Sequence, residues 1–450
     1  MSGKAGKSGN DAGGLKLILT RALRSRNYRL FFSGQAVSLI GTWMQNIALS
    51  WLVYRLTNSA FMLGLVNFAG DIPTFFLMPF AGVFADRFNK YRIIVATQTL
   101  AMVQAFILGA LVLTGAVKIW HLVLLNALLG VVNAFDMPTR QAFVVEMIEA
   151  KEDLPNAIAL NSSIFNVARL LGPAVAGLLI SAVGEGYCFI INGASFIAVI
   201  AALLAMRIKE RPIPASVKDS LRLLKEGFAY TFGFMPIRSI ISLLALVSLM
   251  GMSYTTLMPV VAKTILHGGP RTLGFLMGAA GAGAFTAALY LAARKSVLGL
   301  GRMIPLAAGM FSLGLVALSF SHHFLLALAF MPLIGFGLMT QMASSNTVIQ
   351  TIVDDDKRGR VMSIYAMAFR GIAPFGALMS GALASGIGAL DTLMIGGIIC
   401  GLAAVWFATK LKALRKIVRP IYARHGIIPE VAAGLKAATE FTPPAREMGK

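Results

Sequence analysis

The chain has 450 residues, of which 57% are hydrophobic and 13% charged, with 45 glycines and a mean hydropathy of +0.76. A soluble domain carries roughly 25% charged residues, so most of this chain needs lipid rather than water around it. That excludes an intrinsically disordered chain and an ordinary soluble enzyme. The 2 cysteines, Cys188 and Cys400, both in apolar runs, exclude a disulfide scaffold.

In chain order, residues 1–14 are rich in Gly, Ser and Lys and read as a disordered lead. No short apolar stretch with a small-residue cleavage site follows, so no cleavable signal peptide is expected. A spanning helix needs about 20 mostly apolar residues. Runs that meet this lie at 28–54, 61–83, 91–114, 120–138, 155–182 and 187–206, and again at 237–261, 272–292, 303–320, 324–348, 361–385 and 392–411. The spacing predicts an all-α membrane protein: a lead over 1–26, a six-helix bundle over 27–207, a polar linker over 208–236, a second six-helix bundle over 237–411 and a tail over 412–450. Within the linker, Ser216 and Asp219 can cap a helix whose Leu221, Leu224 and Phe228 share a face, an interfacial helix holding the two bundles.

The net charge of +21 is distributed, not scattered. With the N-terminus on the cytoplasmic side, 34 of the 40 Lys and Arg residues fall on that side, 4 fall on the other, and Arg169 and Arg370 lie inside spans. This bias predicts cytoplasmic termini and accounts for the charge without nucleic acid.

The halves repeat. Asp153 and Asp354, Arg169 and Arg370, and Pro173 and Pro374 share one offset of 201 residues. Each pair falls at the same place around the fifth span of its half. Two six-helix halves in tandem resemble major facilitator transporters. After the second span comes Gly82-Val-Phe-Ala-Asp86-Arg87-Phe-Asn89-Lys90, which resembles the signature loop of that superfamily at Gly82, Asp86, Arg87 and Lys90. It departs at Asn89, where the family has Gly. Asn tolerates a left-handed backbone, so the turn is expected to survive. Gly172-Pro173-Ala-Val-Ala-Gly177 is similar to the motif of the antiporter branches. Trp51-Leu-Val-Tyr54, Pro138-Thr-Arg140-Gln and Arg358-Gly-Arg360 add a resemblance to the bacterial exporter group that includes the enterobactin exporter, over about residues 25–410.

The ionisable residues inside spans are costly there and are the functional candidates. Asp71 lies midway along the second span; a carboxyl shielded from bulk water can take up and release protons. It is the proton-coupling candidate, or else an acid facing water or pairing with an Arg. Arg169 sits about 13 residues, roughly 20 Å, from the far end of its helix, near mid-bilayer. With Arg370 it can face a shared cavity and suit an anionic or catecholate-like substrate, or each can pair internally. Asp136 and Arg140, four apart, can pair with each other or with Asp86 and Arg87 as part of an inner gate. Gly274, Gly278, Gly281 and Gly283 offer a small-residue packing face.

His121, His322 and His323 stand in loops, with no metal-ligand spacing, nucleotide loop or nucleophile triad around them. No cofactor, metal, nucleic acid or enzymatic activity is expected. The resemblance implies alternating-access transport of a small molecule by a monomer in the bacterial cytoplasmic membrane. Proton-coupled antiport of a small amphipathic compound, siderophore-like or drug-like, leads. Uptake by symport, or a sensor or scaffold on the same fold, are the alternatives.

Overall fold

The computed structural model describes residues 21–207, 220–294, 296–425 and 427. The side chains of 78, 79, 82, 83, 85–87, 151 and 220–225 are outside that description. Of the features expected from the sequence, Ser216 and Asp219 fall outside the described residues, as do the side chains of Gly82, Asp86, Arg87, Leu221 and Leu224.

Among the described residues, twelve helices are long and apolar enough to cross a membrane, so the chain is a multi-pass integral membrane protein. The first half is α1 (Arg26–Thr57), α2 (Ala60–Arg87), α3 (Lys90–Leu113), α4 (Ile119–Met147), α5 (Leu154–Val183) and α6 (Glu185–Leu204). The linker contributes α7 (Ser220–Gly233). The second half is α8 (Met235–Ile265), α9 (Pro270–Ala292), α10 (Leu300–Ser319), α11 (Phe324–Ile352), α12 (Arg358–Ile387) and α13 (Ala389–Arg424). An even number of spans in each half puts the start of α1, the end of α13 and α7 on one side, here called the terminal face; the other is the far face.

Local sequence sets the breaks. Ser59 caps α2 through its side chain, and Pro155, Pro236 and Pro270 occupy first-turn positions where a missing N–H costs nothing. Gly184 and Gly388 end the fifth helix of their halves at φ 89° and 95°, a backbone that side chains rarely adopt. Asn89 does not use the left-handed turn expected of it. At φ −64° its side chain accepts from the Arg92 N–H, capping α3, a task for which Asn is better suited than Gly. Two helices outrun their apolar stretches: α4 continues past 138 to Met147, and α13 past 411 to Arg424.

Leu128, Leu313, Leu402 and other large apolar side chains on the outer surface are exposed, as lipid requires. Inside the first half, Asn192 donates to Gln45 at 2.7 Å and Gln45 to Gln104 at 3.2 Å, tying α6, α1 and α3 through buried amides. The linker helix docks on the second half, where Glu226 accepts from Arg360 at 2.9 Å and Tyr230 donates to Asp354 at 3.2 Å. Phe228 of α7 stacks on Phe232, and both are exposed.

Candidate functional site

The halves meet along two seams, α5 against α9 and α2 against α12. Both are glycine contacts. A methyl group on Gly177 would lie 2.7 Å from the Pro270 carbonyl oxygen, and one on Gly274 would lie 2.6 Å from that of Pro173. On the other seam, a methyl on Gly64 would lie 2.5 Å from the Ala377 oxygen, and one on Gly381 would lie 2.7 Å from that of Ala60. Backbones approach this closely only where no Cβ intervenes. Gly172 serves the first half alone, bringing α5 onto Trp43 of α1. Of the small-residue face read in α9, Gly274, Gly278 and Gly281 pack on α5, while Gly283 packs on α11 at Pro332.

These contacts lie toward the far face. There, Tyr54 and Thr264 share a hydrogen bond of 2.7 Å, Lys263 donates to Asn58 at 2.8 Å, and Asn67 donates to Thr256 at 3.2 Å. They form a polar roof over the space between the halves. Toward the terminal face the seams run out. On α5, packing with α9 reaches inward as far as Arg169, opposite Gly281. On α2, packing with α12 reaches Phe75, opposite Gly371. Beyond it Phe76, Phe80 and Phe84 are exposed.

Where the seams run out, Asp71 and Arg370 approach each other. Asp71 sits on one face of α2 between Phe68 and Phe75, whose rings both pack edge-on to Phe375 of α12 at 5.7 and 5.8 Å. Its carboxylate is exposed in the cleft and interacts electrostatically with Arg370, without a direct ion pair. Arg370 is exposed there as well, and its Nη1 reaches the Met137 Sδ of α4 at 2.7 Å. Arg370 thus reaches across the halves, in contact with Met137 and within electrostatic reach of Asp71.

The backbone explains how Arg370 gets there. Pro374 has no N–H for the Arg370 carbonyl, and residues Met367–Gly371 wind into a π turn. Ser248, in a second π turn over Val247–Gly251 of α8, donates to the Phe369 carbonyl. Pro173 stands in the same relation to Arg169, yet α5 remains α-helical. Arg169 stays with its own half, lying 6.0 Å from the Trp43 ring, which packs edge-on to Phe165. Across the seam it interacts with the Tyr254 phenol of α8. Repeat-related in sequence, the two arginines occupy unlike sites.

The remaining candidates form a separate cluster within the first half. Asp136, 1% exposed, pairs with Arg140 and accepts from Thr97 at 2.9 Å and Gln98 at 2.8 Å; Arg140 also donates to Gln35 at 3.0 Å. Asp136 and Arg140 pair with each other, one of the two arrangements expected; the side chains of Asp86 and Arg87 lie outside the described residues. Lys90 of the signature loop pairs with Glu146 at 2.9 Å, joining the start of α3 to the end of α4. Sequence reading missed Glu146, Gln35, Thr97 and Gln98. Their signal is helical spacing onto Asp136 and Lys90, which only the packing of α1, α3 and α4 reveals. The described residues contain no group of three or more His, Cys, Asp or Glu side chains fit to hold a metal ion.

Comparison with known proteins agrees with this architecture. A family model described as transmembrane secretion effector matches residues 20–434. The chain is 28% identical to the Staphyloferrin A transporter of Staphylococcus aureus, over 86% of this chain and 97% of the relative. It is 23% identical to the multidrug efflux pump Tap of Mycolicibacterium fortuitum, over 84% and 95%. It is 21% identical to macrolide efflux protein A of Streptococcus pyogenes, over 83% and 95%. Among solved structures, a bacterial homologue of the human lysosomal transporter Spinster, inward-facing and unoccupied, superposes with a TM-score of 0.66 at 15% identity, covering 87% of this chain and 98% of that one. A POT family transporter in complex with 5-aminolevulinic acid gives 0.69 at 10%, over 87% and 97%. At these identities the structures speak for the fold alone.

Proposed function

The chain belongs to the transmembrane secretion effectors, a family of major facilitator transporters, and from that premise we propose that it is a proton-coupled antiporter exporting a small amphipathic organic compound. The observation that carries this is Asp71, exposed where the two halves part, within electrostatic reach of Arg370 and flanked by Phe68, Phe75 and Phe375. A carboxyl there can exchange a proton with water in the cleft, and Arg370 supplies the charge against which its two protonation states differ. Aromatic walls with the Arg370 guanidinium suit a compound having an apolar body and an anionic or phenolic edge, siderophore-like or drug-like.

The bias of the basic residues supports a terminal face in the bacterial cytoplasm. On that reading the cleft opens inward, the state that loads cargo for export. Protonation of Asp71 from the far side would favour the inward-open state once the proton is carried in. Cargo bound beside Arg370 would favour the opposite swing. The pump works as a monomer, since each chain holds both halves of the cleft.

The test is proton-gradient collapse in everted vesicles, scanning catecholates, dyes and small antimicrobials one at a time. Export by antiport gives substrate-triggered proton efflux that Asp71→Asn abolishes. Efflux that persists in the variant removes Asp71 from coupling. Accumulation only in right-side-out vesicles would make the protein an importer.

A further inference from the structure

The last spanning helix does not stop where its apolar run stops. Beyond Lys410, α13 continues to Arg424 with two unlike faces. Leu414 is buried, and Leu411, Val418 and Tyr422 pack against the core of the second half. Lys412, Arg415, Lys416 and Arg419 are exposed. Between this extension, the start of α8 and the turn into α10 lies a cavity of about 470 Å³. That is within the usual range of ligand sites, about 300–1,000 Å³.

The cavity is amphipathic in a definite sense. Its interior is formed by Ile240, Ile304, Phe407 and Leu411, and its rim by Arg302, Arg415, Lys416 and Arg419. Among the described residues no carboxylate lines it. On the neighbouring loop of the second half, cations have protein partners: Lys357 pairs with Asp354, Arg358 with Asp355 and Arg360 with Glu226. The side chains of the four rim cations have no hydrogen bond or ion pair among the described residues. Like charges gathered on one rim repel unless an anion sits between them. The N-terminal end of α10, at Leu300, adds its own positive field beside Arg302. Trp406, 42% exposed on α13 just before Lys410, marks the level at which aromatic side chains meet lipid headgroups.

We infer that this cavity holds one anionic phospholipid of the leaflet at the terminal face, its phosphate on the basic rim and an acyl chain over the apolar interior. Free phosphate would satisfy the rim and leave the interior unmet, whereas a lipid meets both. The site is distinct from the central cleft, and its lining joins the start of α8 to α10 and α13.

Native mass spectrometry of the full-length protein in a non-ionic detergent, titrated with phosphatidylglycerol or phosphatidylcholine, tests this. One phosphatidylglycerol is expected to stay bound under activation that strips phosphatidylcholine. In Arg302→Gln/Arg419→Gln, retention should weaken by about tenfold or more, two basic contacts having been removed. Lys412→Gln, on the same helix but outside the cavity, should retain lipid as the unaltered chain does. Equal retention of the two lipids, or equal retention by the double variant, would overturn the assignment. Displacement of phosphatidylglycerol by equimolar inorganic phosphate would also overturn it, in favour of a free-anion site. If the double variant does not fold, Arg415→Gln alone carries the same reading.

Discussion

Asp71 on α2 and Arg370 on α12 interact electrostatically across the line where the two halves meet, without closing into an ion pair. An open pair of this kind leaves a place for a third party. A closed, buried pair would tie the halves together and resist the swing between states. On the proposed mechanism, a proton or cargo interrupts this attraction in each cycle.

The two charges should then be thermodynamically coupled. In a double-mutant cycle, Asp71→Asn and Arg370→Gln are expected to be non-additive in cargo binding, with an interaction energy of about 1 kcal/mol or more. Binding to purified protein, measured by calorimetry for the four members of the cycle, checks this. Additive losses would mean that the pair acts as two separate sites.

The roof bonds should set the balance between the two access states. Tyr54→Phe removes the 2.7 Å bond to Thr264, and a bond of this kind contributes about 1 kcal/mol, roughly a fivefold change in population. Labelling of a cysteine placed at Asn67 by an impermeant reagent added from the far side should rise by about that factor.

A side chain on a seam should jam it. Gly177→Val puts branched carbons where a single methyl already lies 2.7 Å from the Pro270 oxygen. The closed roof should be destabilised by about 1–3 kcal/mol, the usual cost of overpacking. Transport should fall, and far-side labelling of the same Asn67 cysteine should rise. Gly309→Val, with open space around its Cβ, is the matched control.

The Asp136 cluster should act on stability before it acts on transport. Asp136→Ala strands Arg140 and leaves Thr97 and Gln98 without their acceptor. Removing one partner of a buried pair costs about 3–5 kcal/mol, so the unfolding temperature in detergent should drop by several degrees. Asp136→Asn, which keeps an acceptor oxygen for Thr97 and Gln98, should cost less.

Much of the architecture is legible in the chain. Spans announce themselves because lipid leaves the backbone no alternative to a helix, and the offset linking Arg169 to Arg370 exposes the tandem repeat. Single residues are harder. Asn89 reads as a substitute for Gly but serves as a helix cap, because sequence does not say which side of a turn a residue occupies. The repeat suggests equal roles for the two arginines. The π turn that separates them depends on Ser248 meeting the Phe369 carbonyl, a contact between helices that no local pattern encodes. The partners of Lys90 and Asp136 are hidden for the same reason.

The glycine seams bear on speed. Interlocked side chains must withdraw, choose new rotamers and re-enter whenever a joint opens and shuts. At Gly177 with Gly274, and at Gly64 with Gly381, bare backbone lies on bare backbone, with no teeth to disengage. Such joints can roll against each other like smooth bearings. The friction of each stroke is then concentrated in a few polar latches, and turnover is tuned by changing a hydroxyl rather than by rebuilding a helix face.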